Sequence, residues 1–472
     1  MNPPTRSLSF QREIPVLDSY DLIVCGGGPS GVPAALAAAR GGLRVLLIEG
    51  SGQLGGAGVS AGVSHLLGCR MKDNSGWAVA GILREVTEDL AAIGGAIHPE
   101  TIRPERYSPH GWTGPVSVLT YGVPFDPIAM ASLLDRKMLE AGVDLLFFTQ
   151  FVDVEVADDR IRKVIVSNKS GLHAYAARAV VDATGDADVA SRSGCETVKG
   201  REEDGLMTPA TLIFHVDQVD QEALSGEIHR TSSSRFRELI ARLRETGEWR
   251  FPYDIFITVQ LQQKGTFMVN TTRLCDVDGT DGRSLSRGMM RGRSEMLELF
   301  ALMKKHFPGF ADARIRMVAP QLGVRETRRI RADLVYRVED LLAKKDFPDT
   351  IGWSAYGWDL PDPKRPSHQP MHKVGMKRPC TPIPYRVMIP RPVKNLICPG
   401  RAISVERDVL GPLREQGPCY AMGQAAGTAA AMLLAGKNDA FSAVDTGALQ
   451  ERLRRQGAVI DEPGADPGGG RP

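Results

Sequence analysis

The stretch that most constrains this chain is Asp21-Leu22-Ile23-Val24-Cys25-Gly26-Gly27-Gly28-Pro29-Ser30-Gly31, followed by an alanine-rich run to Arg40. Successive apolar residues from Leu22 onward read as a strand buried on both faces, as in a parallel sheet covered by helices. The spacing G-x-G-x-x-G is met by Gly26, Gly28 and Gly31, with Pro29 and Ser30 completing the turn. Gly26 allows the tight bend, Gly28 lets a pyrophosphate approach bare backbone, and Gly31 lets the next helix pack close. The helix predicted over 32–40 would aim its free N–H groups and positive dipole end at that pyrophosphate. A second apolar strand over 44–48 ends in Glu49, 18 residues past Gly31. A carboxylate there suits the two ribose hydroxyls of an adenosine and repels a 2′-phosphate. Strand, glycines, helix, strand and acid in register weigh against a turn whose glycines serve packing alone.

At 472 residues the chain exceeds one compact core, and two or more domains are expected. A formal net charge of +2 with no large basic block speaks against nucleic acid as a partner. The seven cysteines stand singly with no C-x-x-C pair, so the sequence offers no iron–sulfur cluster, structural zinc or redox disulfide; no metal is expected. The first twenty residues lack the apolar core of a signal peptide, and no run of 18 apolar residues occurs. A cytoplasmic protein without a membrane span is the expectation.

After Glu49 the run Gly50-Ser51-Gly52-Gln53-Leu54-Gly55-Gly56-Ala57-Gly58 packs no core and reads as a loop pressed against a flat ligand. Helices are predicted over 77–93 and 127–141, the latter with Pro127 in its first turn. Strands follow over 143–148, 151–157 and 161–167, the last two joined by a turn at Asp158-Asp159, and a fourth around 174–179. That fourth strand runs into Val180-Val181-Asp182-Ala183-Thr184-Gly185-Asp186, a second small-residue strand end on the edge of the first sheet. From about 200 to 379 prolines and longer polar helices prevail. One helix, over 287–306, carries Met290, Met296, Leu297, Phe300 and Met303 as its expected apolar positions. The first pattern returns in a strand over 394–401 ending at Gly400-Arg401, and in a glycine–alanine helix over 419–434 that contains Gly423 and Gln424.

Taken together, GGGPSG, Glu49, GQLGGAG, VVDATGDADVA, GVRETRRI, PGRAIS and GPCYAMGQAAGTAAA resemble the FAD-dependent oxidoreductases related to the fumarate reductase and glutathione reductase flavoproteins. The resemblance runs from about residue 20 to 436, with the motifs in the family's order. It implies an α/β fold: a discontinuous Rossmann-like FAD-binding domain, parallel sheet plus β-meander, with an inserted α+β cap domain. The expected division is 15–200 and 380–440 for FAD, 201–379 for substrate, and 441–472 for a terminal helix and disordered tail.

By the same resemblance Gly26, Gly28, Pro29, Ser30 and Gly31 would cradle the FAD pyrophosphate, and Glu49 would bind the ribose. Gly55 and Gly56 would run along the cofactor, and the backbone near Val152 would meet the adenine edge. Ala183, Thr184, Gly185 and Asp186 would close over the dinucleotide, with Gly400 and Arg401 by the ribityl chain. The helix at Gly423 and Gln424 would point its dipole at the flavin N1–C2=O edge, raising the reduction potential. Two departures stand out: Arg401 replaces the Asp common in relatives, and Arg407, Asp408 and Leu410 replace a histidine-bearing loop. His65 and Cys69, close to the flavin-side loop in sequence, raise the question of covalent attachment.

The implied activity is hydride transfer between flavin N5 and a small organic substrate, with an unnamed electron donor or acceptor. Arg325 and Arg414 are the candidate catalytic residues, able to clamp a carboxylate or stabilise enolate-like charge. Each also has a structural reading: an ion pair of Arg325 with Glu326 or Asp333, and of Arg414 with Glu415. His215, His368 and His372 are lone histidines, more often satisfied or exposed than proton carriers. A flavin monooxygenase and a flavin-free escort protein of the same fold are the competing readings; the glycine fingerprint weighs against the latter. A homo-oligomer is left open.

Overall fold

The computed structural model describes residues 8, 11–73, 75–101, 122–231, 233–436 and 438–464. The expected disordered tail beyond 464 lies outside them. The apolar run from Leu22 to Cys25 is the fully buried end of β1 (Val16–Cys25), as continuous hydrophobicity requires of a strand covered on both faces. It pairs in parallel with β2 (Val45–Ile48) on one side, Val24 opposite Leu47. β5 (Asp144–Leu146) extends that side, again in parallel. On the other side of β1, β8 (Gly171–Asp182) runs parallel, with Cys25 opposite Asp182. The antiparallel strands β6 (Gln150–Ala157) and β7 (Arg160–Asn168) complete a meander onto β8. Asp158 and Asp159 both take positive φ, 55° and 56°, which is what a two-residue hairpin turn demands. Leu396–Ile397 returns from far down the chain to pair in parallel with Val180 and Val181.

Because these strands are parallel, their carboxyl ends share one edge. The glycine turn, the loop after Glu49, the Ala183–Asp186 loop and Gly400-Arg401 all leave from it, which is where open α/β sheets bind ligands. The helix Gly31–Arg40 and the helix Gln416–Ala435 cover one face. Their axes approach as closely as they do because Gly423 and Gly427 carry no side chain: a Cβ at either would lie 2.1 Å from the carbonyl oxygen of Ser30 or Ala34. This is the Rossmann-like arrangement with an inserted part, the fold class the motifs implied.

The inserted part has its own antiparallel sheet, Thr258–Gln260, Phe267–Val269, Phe214–Asp217 and Arg314–Val318 in spatial order. Its core is aromatic, with Phe256 stacked on Phe307 at 4.3 Å. The helix Gly282–His306 flanks it, with a stripe different from the one expected. Met296 and Met303 are buried, but Met290 and Leu297 are 62% and 57% exposed. The buried line instead continues through Gly288 and Gly292, which pack against Leu322 and Leu212 and which a count of large apolar residues overlooks. Tyr336, Phe347, Ile351 and Trp358 join the core beneath the nucleotide-type sheet rather than this one. Among the described residues no helix is long and apolar enough to cross a membrane.

Candidate functional site

Glu49 follows directly on β2, and its carboxylate folds back on the glycine turn. Oε2 accepts from the Gly27 N–H at 2.8 Å and Oε1 from the Ser51 N–H at 2.7 Å. Each oxygen keeps acceptor capacity for a hydroxyl. Gly26 has φ +106°, and a Cβ there would lie 2.4 Å from the Ala183 carbonyl oxygen; at Gly31 it would lie 1.7 Å from that of Gly26. At Gly28 the nearest atom is 3.8 Å away, on Gly56, so the space over that residue is open. The first helix begins beside it with no side-chain cap from Ser30; Val32 N–H donates to the Gly28 carbonyl at 3.1 Å and Pro33 has no N–H, which leaves the Gly31 N–H of the opening turn for an anion. Open backbone, an uncapped helix end and an adjacent carboxylate form the set that a dinucleotide pyrophosphate and ribose need.

The remaining expected cofactor residues divide. Gly55 donates its N–H to the Gly27 carbonyl at 2.8 Å, and Gly56 lies against Gly28, where a Cβ would come within 2.7 Å. Ala183 is hydrogen-bonded to Cys25, and Thr184 is held at 2.6 Å by the buried Asp182, so that loop is fixed beside the turn. Gly400, at φ +101°, passes Ser30 so closely that a Cβ would lie 2.9 Å from its hydroxyl. Arg401 ties the loops together, donating to the Gly185 and Val324 carbonyls and to Asp186, each at 2.7 Å. Val152 is the extra residue of a β-bulge between Phe151 and Asp153, 38% exposed.

Gly423 and Gln424 are a correction. The helix starts at Gln416, three residues before the expected position, so the dipole end belongs to Gln416 and Gly417. Gly423 is a packing contact with the first helix. The Gln424 amide is engaged on the far side, its oxygen accepting from the Ile82 N–H at 3.0 Å and its nitrogen donating to Gln456.

A cavity opens next to these loops, bounded by Ala57, Val63 and His65 on the sheet side, by Thr211, Asn270 and Arg325 from the inserted part, and by Arg414 and Gln416. Its empty space, open mouth included, is about 800 Å3. Arg325 donates to the Pro209 carbonyl at 2.6 Å, to Thr211 Oγ1 at 2.8 Å and to Asn270 Oδ1 at 3.4 Å. All three acceptors are neutral. Its expected ion-pair partners are taken: Glu326 by Arg407 at 2.6 Å, and Asp333 by Arg391. Arg414 does pair with Glu415, at 2.8 Å, and also with Asp359 at 3.3 Å. Arg273, 2% exposed, hydrogen-bonds the Thr211 hydroxyl behind Arg325.

Residues 21–453 match the family described as FAD dependent oxidoreductase. The chain belongs to that family. Over 53 residues this oxidoreductase is also 43% identical to dihydrolipoyl dehydrogenase of Trypanosoma brucei brucei, a match spanning 11% of each chain. Among solved structures, a geranylgeranyl bacteriochlorophyll reductase-like protein of Thermoplasma acidophilum is 12% identical, with TM-score 0.45 over 93% of this chain and 83% of that one. The p-nitrophenol 4-monooxygenase of Pseudomonas putida is 13% identical, with TM-score 0.44 over 93% and 81%.

The electrostatics of the oxidoreductase's cavity follow from burial. Desolvation, with Arg273 and Arg414 nearby, pushes Arg325 down to about 9, and desolvation pushes Arg273 down to about 10. Both keep their charge at neutral pH. Burial opposes the charge on Arg414 as well, but Glu415 and Asp359 outweigh it and raise that group. Among the lining side chains Arg325, Arg401 and Arg414 stand with Asp359 and Glu415, and Arg401 is paired with Asp186 at 2.7 Å. His65 is 1% exposed, and burial pushes it down to about 3, so its ring is neutral. Cys69 hydrogen-bonds the Leu66 carbonyl and burial pushes it up to about 12, which keeps it a thiol. His215 is bonded to the Gly62 carbonyl at 2.9 Å. His368 contributes backbone bonds to Asp362 and Arg365, and the side chain of His372 lies outside the description. Sequence reasoning missed Thr211, Asn270, Asp359 and Gln416 as parts of this site, and Arg273 behind it; Thr211, Asn270 and Asp359 belong to no motif, while Gln416 lies two residues past Arg414.

Proposed function

We propose that this FAD-dependent oxidoreductase moves a hydride between flavin and a small organic substrate that carries a carboxylate, with Arg325 as the anchor for that group. The observation that carries the reading is a charged guanidinium on the cavity wall whose acceptors, among the described residues, are all neutral. A half-buried cation with no direct ion-pair partner among the described residues favours a ligand carboxylate, which meets it with bidentate geometry. FAD, held through Gly26, Gly28, Gly31 and Glu49, supplies the hydride acceptor or donor.

In this reading 201–379 furnishes the substrate wall, with Thr211 and Asn270 orienting Arg325. Arg414 is a structural cation that keeps Asp359 and Glu415 in place. The cavity's partial enclosure strengthens the Arg325–carboxylate attraction by excluding water. The motif likeness to fumarate reductase and glutathione reductase flavoproteins supports a dehydrogenase or reductase over an oxygenase.

The test is anaerobic mixing of the FAD-loaded protein with carboxylic acids, neutral alcohols and amines, following loss of the visible flavin band. Acids are expected to bleach or bind, and neutral analogues of matched size are not. Bleaching only by neutral alcohols or amines would remove the anchor role. NADPH oxidation with oxygen uptake and hydroxylated product would favour the oxygenase reading.

A further inference from the structure

Two carboxylates stand on the cavity wall, Asp359 and Glu415, and both pair with Arg414. Their oxygens are not used alike. Asp359 is engaged at both: Oδ1 accepts from Gln369 Nε2 at 2.5 Å, and Oδ2 accepts from the Tyr356 hydroxyl at 3.1 Å and meets Arg414 Nη2 at 3.3 Å. Glu415 is engaged at one. Its Oε1 pairs with Arg414 Nη1 at 2.8 Å, and Oε2 has no partner among the described residues. Glu415 occupies the capping position of the helix Gln416–Ala435, yet its side chain makes no capping bond, so the carboxylate turns away from its own helix. Although the residue is only 8% exposed, Oε2 is not sealed: it is not among the enclosed, unpartnered atoms of the interior, as both ring nitrogens of His65 are. The open space that Glu415 borders is the cavity it shares with Arg325. Burial pushes its carboxyl up; Arg414 and Arg325 oppose that, and Asp359 adds to it. Cys419, in the first turn of the same helix, is pushed up to about 12 by burial and stays an uncharged thiol.

We propose that Glu415 is the proton acceptor of the reaction, and that the substrate is a hydroxy acid whose hydroxyl meets Oε2 while its carboxylate meets Arg325. The proposal rests on Arg325 as the carboxylate anchor and on FAD as the oxidant. The hydrogen on the hydroxyl-bearing carbon leaves with its electron pair as hydride to FAD. The O–H bond breaks, its proton passes to Oε2, and its electrons become the second bond of the carbonyl. The products are the oxo acid, FAD reduced by two electrons, and a neutral Glu415 that returns its proton to water. An amino acid suits this geometry less: its ammonium would pair with the ionised Oε2 and keep its protons, whereas one acceptor matches the one proton a hydroxyl must lose. A carbonyl oxygen only accepts, so the oxo acid meets Oε2 favourably after Glu415 has taken a proton. Binding of an oxo acid therefore draws a proton from solvent.

The experiment counts protons taken up on binding to the FAD-loaded full-length protein, by calorimetry at neutral pH in buffers of different ionisation enthalpy. Phenylglyoxylate and pyruvate are the oxo acids; phenylacetate and propionate are their partners without the oxygen. Uptake of about one proton is expected with an oxo acid and almost none with its partner. Glu415→Gln should abolish the uptake and Glu415→Asp should keep it, with FAD content and circular dichroism unchanged. In anaerobic mixing with mandelate or lactate, Glu415→Gln should slow flavin bleaching about 100-fold or more. Equal uptake for phenylglyoxylate and phenylacetate in the unmodified protein overturns the role of Glu415 without any variant. Uptake that survives Glu415→Gln, or bleaching slowed less than about threefold, overturns it too, and in each case Arg325 is left standing. Bleaching by alanine or phenylglycine but by neither hydroxy acid overturns the hydroxyl assignment. Binding unchanged by Arg325→Met, or no binding by any of these acids, overturns the anchor and this proposal with it.

Discussion

Arg414 ends in two carboxylates, Asp359 and Glu415, whereas Arg325 ends in a carbonyl, a hydroxyl and an amide oxygen. In sequence the two arginines are equivalent, each followed by a glutamate. Only the fold separates them, because Glu326 turns away to meet Arg407 while Glu415 stays with its neighbour. His65 was visible in the sequence only as a residue near a glycine loop; that its ring nitrogens have no partner among the described residues is a property of packing. That burial has a measurable consequence. The unfolded ring titrates near 6.5 and the folded ring near 3, so between those values the unfolded chain binds a proton that the folded one refuses. The contribution of neutral His65 is therefore present above pH 6.5 and lost as pH falls toward 3. His65→Phe is expected to show a shallower loss of stability with acid over that window, measured by denaturant unfolding at several pH values. An unchanged slope would show that the ring protonates in the folded protein.

At the scale of elements, the most informative contact is that between the helix Gly31–Arg40 and the helix Gln416–Ala435. Glycine within a helix ordinarily costs about 1 kcal/mol relative to alanine. At Gly427 that preference is overridden, since a Cβ would lie 2.1 Å from the Ala34 carbonyl oxygen, backbone that cannot swing aside. Gly427→Ala is expected to destabilise by about 1–3 kcal/mol through overpacking. Gly226→Ala, in the helix Gln221–Thr231 where a Cβ meets nothing within 4 Å, should instead stabilise by about 0.5–1 kcal/mol. Chemical denaturation of both variants checks the pair, and like signs would refute the close-packing argument. The sequence showed the glycine–alanine helix but misjudged its start. Gln416-Gly417-Pro418 carries no helix signal stronger than proline in the first turn, and the resemblance drew attention to Gly423.

For the whole molecule, the legible part is the part built from local rules. Continuous apolar runs, a glycine turn and a carboxylate at a set spacing specify β1, the first helix, β2 and the return strand, and the glycine turn and Glu49 sit on them. The cavity is assembled from residues that obey no spacing rule: Thr211, Asn270 and Arg325 arrive from separate turns of the inserted part and meet His65 and Gln416 only in the folded chain. The proposed role of Arg325 is to receive the substrate's negative group beside the flavin. Its most direct measurement is the dissociation constant of the most tightly bound acid from the FAD-loaded protein, read from the flavin difference spectrum, for the unmodified chain and for Arg325→Met at neutral pH. With FAD content unchanged, binding is expected to weaken on the order of 100-fold in the variant, and in the unmodified chain to fade as pH rises past about 9. A dissociation constant within twofold of the unmodified value would contradict it.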